Sequence, residues 1–90
     1  MLEQEITVSN RLGLHARASA KLVQLVSSFK GTRVDLLSKG REVNAQSIMG
    51  VMMLAAGMGS VLTVRADGER EADALAAVIA LFNNKFDEGQ

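Results

Sequence analysis

The sequence predicts an α+β fold, an open-faced β-sandwich in which three helices cover one face of a four-stranded antiparallel sheet. Strand-like and helix-like patterns follow one another in the order β-α-β-β-α-β-α, which is the order of two split βαβ units and a final helix. That final helix has the clearest apolar periodicity in the chain. Because a chain of 90 residues supports one hydrophobic core, we expect a single domain over residues 1–90.

The first half of the chain is predicted to contain three strands and a helix. Alternation of apolar and polar residues predicts strands over residues 3–8 and around residues 33–36. Lys39-Gly40 is typical of a hairpin turn, and residues 41–43 form the returning strand. Between the first two strands, a helix over residues 16–29 presents the apolar face Ala18, Leu22, Leu25, Val26 and Phe29, and Gly31 ends it.

The second predicted helix lies in the stretch NAQSIMGVMMLAA and is apolar on all sides. It ends near Gly57 or Gly59. In a two-layer domain only one side of this helix faces the sheet, and Val51, Leu54 and Ala55 form a consistent buried side.

The last part of the chain predicts a strand over residues 61–66, closed by Asp67-Gly68, and then the final helix. Acidic residues in the first turns of this helix, Glu69, Glu71 and Asp73, complement its positive end. Its apolar positions are Leu75, Val78, Ile79, Phe82 and Phe86.

The composition excludes several classes of function. Lys plus Arg and Asp plus Glu number ten each, and this zero net charge argues against a nucleic-acid-binding protein. With no cysteine and one histidine, the chain has no disulfide, no thiol chemistry and no two-histidine metal motif, so we expect no metal and no cofactor. The polar N-terminus and the absence of an apolar run near ~18 residues argue against a signal peptide and membrane insertion. We therefore expect a cytoplasmic monomer.

The stretch RLGLHARASA contains His15, the only histidine of the chain. His15 precedes the first helix, where unpaired N–H groups and the helix dipole favour an anion such as phosphate. Arg17 lies in the first turn and suits a charge-assisted hydrogen bond to the same anion, while Gly13 supplies the chain reversal. Because a neutral imidazole is a nucleophile, these residues suit a histidine that accepts a phosphoryl group. A surface histidine that only caps the helix is the alternative, and position alone leaves both open.

The second helix offers another candidate site. If its buried side faces the sheet, some of Ile48, Met49 and Met52 are exposed, and exposed apolar surface of this kind often marks a docking site. Two alternatives are equally compatible with the pattern. The third helix or a loop covers these residues, or the methionines fill gaps in an aromatic-poor core. Ser47 precedes these residues and is the expected N-cap.

Two motifs together resemble the HPr family, the histidine phosphocarriers of the phosphoenolpyruvate phosphotransferase system. They are GLHARAS around His15 and VNAQSIMGVMML around Ser47, and the resemblance extends over essentially the whole chain. It implies that phospho-enzyme I phosphorylates Nδ1 of His15, that Arg17 binds the phosphate, and that enzyme IIA proteins receive the group. It also implies that the partners dock on Ile48, Met49 and Met52. The protein would then be a relay that forms a covalent phosphohistidine and not a self-sufficient enzyme.

Three positions depart from the family pattern or extend it. Ala18 replaces a proline found in many members, a change that preserves the helix and restores a backbone donor. Ser47 matches the serine that HPr kinase/phosphorylase modifies with ATP, but Gln46 stands where members with that regulatory serine often have lysine. The tail after Phe86 is longer than in the shorter members, so a role for a C-terminal carboxylate near the site does not carry over.

Two other functions compete with the phosphocarrier interpretation. In one, the same fold is a binding module controlled by phosphorylation of Ser47, with His15 incidental. In the other, the domain is a small nucleic-acid-binding or ligand-binding βαβ module, which the zero net charge and the absence of Tyr and Trp disfavour. The sequence does not separate the sugar-transport branch from the nitrogen-related branch of the phosphotransferase system.

Overall fold

The structure is a computed structural model, which describes residues 1–88. Residues 89 and 90 of the predicted domain lie outside the described residues. The elements follow the predicted order and are β1 (Leu2–Thr7), α1 (Ala16–Ser27), β2 (Thr32–Ser38), β3 (Arg41–Asn44), α2 (Ile48–Met53), β4 (Val61–Gly68) and α3 (Glu71–Asn83). A short 3-10 turn, Lys85–Asp87, comes after α3.

The four strands form one antiparallel sheet in the order β1-β4-β2-β3. β4 lies between β1 and β2, so α1 connects two strands that are not neighbours. β2 likewise lies between β3 and β4, which α2 connects. These are the two split βαβ units that the sequence predicts.

The helices cover one face of the sheet, and the core lies between the two layers. Burial of an apolar side chain of this size stabilises a fold by about 1.5–3 kcal/mol. The strands contribute the inward-facing residues Ile6, Val34, Leu36, Leu62, Val64 and Ala66, and the helices contribute Leu22, Val26, Val51, Val78 and Phe82.

The other face of the sheet is polar. Arg65 on β4 donates to Glu3 on β1 at 2.6 Å and to Glu42 on β3 at 2.5 Å. Exposed ion pairs of this kind contribute only about 0–1 kcal/mol each, because their charges stay solvated. The face is therefore compatible with solvent and needs no covering layer. Within residues 1–88, each helix is too short or too polar to cross a membrane.

The predicted end of α2 is wrong. The helix ends at Met53, several residues before Gly57, and Ala55 adopts a positive φ of 51° in the turn that follows. Ala55 is therefore exposed and Leu54 half-buried, while Val51 is the fully buried residue of the helix. The positive φ of Ala55 lies outside the right-handed helical region, so the helix cannot continue through this residue.

The predicted end of α3 is also wrong. The helix runs from Glu71 to Asn83, so Glu69 precedes it and Phe86 lies beyond it. Phe86 is nevertheless fully buried, because the chain turns back after α3 and places the ring edge-on against Phe82, with ring centroids 4.8 Å apart. The helical spacing of Phe82 and Phe86 predicts their burial correctly and their backbone conformation incorrectly.

Candidate functional site

The loop that carries the histidine is held against the chain that follows α2. Gly13 has a φ of +65°, and a Cβ atom at this position would lie 2.4 Å from the Ala56 carbonyl oxygen and 2.7 Å from Gly57 Cα. The next N–H group, that of Leu14, donates to the same Ala56 oxygen at 2.9 Å. A glycine is therefore required here both for the backbone conformation and for the close approach of two backbones.

His15 is the N-cap of α1, as predicted. Its backbone is extended, and its carbonyl oxygen accepts the N–H of Ser19 at 2.9 Å. The N–H of Arg17 donates to Nδ1 of the ring at 3.3 Å. Because Nδ1 accepts a hydrogen bond, the proton of the neutral ring is on Nε2.

The other ring nitrogen contacts a carboxylate. Nε2 of His15 lies 2.5 Å from Oε2 of Glu88, whose side chain is 12% exposed. The buried Asn10 amide donates to the second oxygen of Glu88 at 3.1 Å and to the Gly13 carbonyl at 2.8 Å. Asn10 thus joins the carboxylate to the loop that positions the ring.

An unusual backbone brings Glu88 to the histidine. The three preceding residues, Lys85, Phe86 and Asp87, have φ values of 55°, 55° and 62°, a region that residues other than glycine rarely adopt. Burial of Phe86 holds this segment in place, and Nζ of Lys21 on α1 donates to the Phe86 carbonyl at 2.6 Å. We call residues 84–88 the tail segment.

The ring lies in an open cavity of about 590 Å³. Three cationic side chains line this cavity, those of Arg11, Arg17 and Lys21, and Glu88 also lines it. Burial raises the pKa of the Glu88 carboxyl, but hydrogen bonds from Asn10 and His15 outweigh burial and leave the pKa below its ordinary value. Glu88 is therefore ionised at neutral pH. Asp87 also lines the cavity, which thus combines three cationic groups with two carboxylates.

The second predicted site lies on α2, which packs against α1. Ser47 is the N-cap, as predicted, and its Oγ accepts the N–H of Gly50 at 3.0 Å. Ile48, Met49 and Met52 are 42%, 71% and 39% exposed, so neither a loop nor α3 covers them in the described chain. We call these three residues the apolar patch, and their role in docking stays a prediction.

Asn10 and Glu88 are the site residues that the sequence analysis does not single out. Asn10 is a polar residue in a predicted loop, and Glu88 lies in the tail, where no periodic pattern indicates its partner. The tail does place a carboxylate next to His15, but this carboxylate belongs to the side chain of Glu88 and is not a C-terminal one. No group of three or more metal-ligating side chains occurs in residues 1–88.

The structure places one imidazole at the start of a helix, beside a cavity lined by three cationic side chains. The chain matches the family described as PTS HPr component phosphorylation site over residues 2–84. It is 60% identical over 88 residues to phosphocarrier protein HPr of Xylella fastidiosa (strain Temecula1 / ATCC 700964), with 98% of each chain covered. It is 40% identical over 87 residues to phosphocarrier protein NPr of Escherichia coli (strain K12), with 97% of each chain covered.

A solved structure agrees with this match. HPr-C-His from Thermoanaerobacter tengcongensis superposes with a TM-score of 0.93 at 39% identity, and 98% of each chain is covered. The chain therefore belongs to the HPr family of the phosphotransferase system, whose members are phosphocarriers rather than catalysts.

Replacement of Gly13 by alanine should destabilise the protein more than the same change at Gly40. Both glycines have positive φ, which costs alanine about 1–2 kcal/mol, but only at Gly13 does the new methyl overlap a neighbouring backbone. Urea unfolding of the two variants measures the difference. Equal losses of stability would show that the approach of Gly13 to Ala56 is not a tight one.

The stability of the protein should fall on acidification, in part through Glu88. Its pKa is lowered in the folded protein, so its contribution is present above the unfolded value of about 4.3 and is lost as pH falls through the folded value. The free energy of unfolding between pH 7 and pH 3 should therefore change less in Glu88→Gln than in the wild type. The control is Asp87→Asn, which removes an exposed neighbouring carboxylate. A Glu88→Gln profile as steep as that of the wild type would contradict this assignment.

Proposed function

We propose that this protein accepts a phosphoryl group on Nδ1 of His15 from phospho-enzyme I and passes it to enzyme IIA proteins. The observation that carries the proposal is the position of Nδ1 at the start of the twelve-residue helix α1, beside the cationic cavity. A covalent phosphohistidine is the intermediate, and other proteins supply both halves of the reaction. The relay acts in the cytoplasm as a monomer.

The helix start accounts for the stability of the phosphorylated state. Backbone N–H groups of the first turn lack intrahelical acceptors, and the dipole adds about half a positive charge at this end. Arg17 is exposed and lines the same cavity as His15. Its guanidinium therefore lies near the place that a phosphoryl group on His15 would occupy. Ala18 leaves its N–H in the same turn, where a proline would remove it.

The apolar patch is the surface on which the partners dock. Its three side chains are exposed on a helix that packs against the helix bearing His15, and methionines adapt to more than one partner surface. Leu12, which is 67% exposed, extends apolar surface to the edge of the cavity itself. A partner on this face therefore reaches both the patch and the imidazole.

Ser47 is the site at which docking is regulated. Its side chain is exposed and stands next to Ile48, the first residue of the patch, so HPr kinase/phosphorylase or a related kinase has access to it. A phosphate there adds close to two negative charges beside an apolar docking surface. Phosphorylation of Ser47 therefore opposes docking without altering the imidazole.

His15→Ala should abolish phosphate acceptance from enzyme I and phosphoenolpyruvate and leave the protein folded. Loss of the side-chain cap costs about 0.5–2 kcal/mol, which a thermal melt detects. His15→Asn is the matched variant, because asparagine restores a capping side chain but is not a phosphoryl acceptor. Acid-labile labelling of either folded variant would overturn the phosphocarrier proposal.

Ser47→Asp should weaken phosphotransfer and leave stability unchanged or slightly higher. An anion at a helix start gains about 0.3–1 kcal/mol, whereas a loss of about 1.4 kcal/mol in docking weakens binding tenfold. Ser47→Asn is the control, since it also caps the helix but carries no charge. The measurements are thermal melts and rates of phosphorylation by enzyme I at low concentrations of this protein. Equal rates for the two variants would mean that charge near the apolar patch does not affect docking.

A further inference from the structure

We propose that Ser19 is a positioning residue for phosphoryl transfer, whose hydroxyl and backbone N–H together restrain the backbone that carries the His15 ring. This inference rests on the proposed function and extends it to a buried residue of α1 that does not line the cavity. Ser19 acts through the backbone of His15 and not on the phosphoryl group itself.

Ser19 is a polar residue in an apolar part of the fold. It is fully buried, as are its helix neighbours Ala18 and Leu22. A buried hydroxyl is costly unless it forms a hydrogen bond, and alanine is a better helix former than serine. Here Oγ of Ser19 donates to the carbonyl oxygen of Leu14, five residues earlier, at 3.1 Å. A serine inside a helix commonly reaches the carbonyl three or four residues back, so this longer reach ties the helix to the loop before it.

Two donors of Ser19 hold two consecutive carbonyl groups. The hydroxyl holds the carbonyl of Leu14, and the backbone N–H donates to the carbonyl of His15 at 2.9 Å. The first carbonyl belongs to the peptide plane before the Cα atom of His15, and the second belongs to the plane after it. Rotations of these two planes are the φ and ψ angles of His15, which are −74° and −178°. One residue therefore restrains both backbone angles of the histidine.

Leu14 makes this restraint effective, because it is anchored independently of Ser19. Its N–H donates to the Ala56 carbonyl at 2.9 Å, and its side chain is buried in the core. Removal of the Ser19 hydroxyl leaves both of these anchors in place. The freedom gained is then confined to the peptide plane that leads into His15.

The chemical step explains why this restraint is useful. The Nδ1 lone pair forms a bond to phosphorus, the bond from phosphorus to the donor breaks, and its electron pair leaves with the donor. In onward transfer the N–P bond breaks, its electron pair returns to Nδ1, and phosphorus bonds to the acceptor. Because φ and ψ set the direction of the Cα–Cβ bond, they set where the ring lies, and a misplacement of about 1 Å costs about a hundredfold in rate. The hydroxyl of Ser19 thus raises the rate by narrowing the range of positions that Nδ1 occupies.

The test compares Ser19→Ala with Ser28→Ala in the full-length chain. Alanine fits the buried position and favours the helix, so both variants should fold, as thermal melts will establish. Ser28 is the matched control, because its hydroxyl also donates to a backbone carbonyl, that of Leu25 at 2.6 Å, at the opposite end of α1. The readouts are the NMR order parameter of the His15 backbone N–H and the kcat and KM for phosphorylation by enzyme I.

In Ser19→Ala we expect the order parameter of the His15 N–H to fall below the value of about 0.85 that is typical of rigid backbone. We expect kcat to fall about tenfold, since the ring is displaced for part of the time and not permanently. KM should stay close to the wild-type value, because the apolar patch is unchanged. Ser28→Ala should match the wild type in the order parameter and in both kinetic constants.

Three results would overturn the assignment. They are a wild-type kcat in Ser19→Ala, a wild-type order parameter of His15 in that variant, and equal changes in the two variants, which would indicate an effect on the helix as a whole. Failure of the proposed function looks different, since the wild type itself would then accept no phosphate from enzyme I, while the order parameter would still report the restraint on His15.

Discussion

The approach of two backbones, at Gly13 and at Ala56–Gly57, is the contact on which the arrangement of the site depends. It joins the loop before α1 to the turn after α2, and so links the histidine at the start of one helix to the helix that carries the apolar patch. The turn reaches this position because α2 ends early and the chain reverses at Ala55. A shorter helix than the sequence predicts is therefore part of how the site is assembled.

The imidazole of His15 makes two structural contacts. Through Nδ1 it caps α1, and through Nε2 it contacts the tail segment. Both contacts restrict the ring, so the conformational entropy of this side chain is lost when the protein folds. The cavity around the ring is open, so the imidazole edge that faces it is accessible.

The sequence predicts the parts of the structure that depend on local patterns. Strand alternation, the hairpin at Lys39-Gly40 and the N-caps at His15 and Ser47 follow from rules that operate over a few residues, and the structure agrees with them. The sheet order follows from split βαβ topology. The conformation of the tail cannot be predicted from such rules. The helical spacing of apolar residues continues through Phe86, although the helix ends at Asn83. The partner of Glu88 lies 73 residues earlier in the chain, and no local pattern encodes that distance.

The place of β4 between β1 and β2 has a consequence for how the chain folds. β1 and β2 are complete early in the sequence, but neither has its shared neighbour until residues 61–68 are available. A ribosome-bound chain that ends before β4 therefore exposes two unpaired strand edges and an uncovered apolar layer, a state prone to association. The β2–β3 hairpin is available earlier, but β1 joins the sheet only through β4, so the four-stranded sheet is completed only after residues 61–68 have been synthesised.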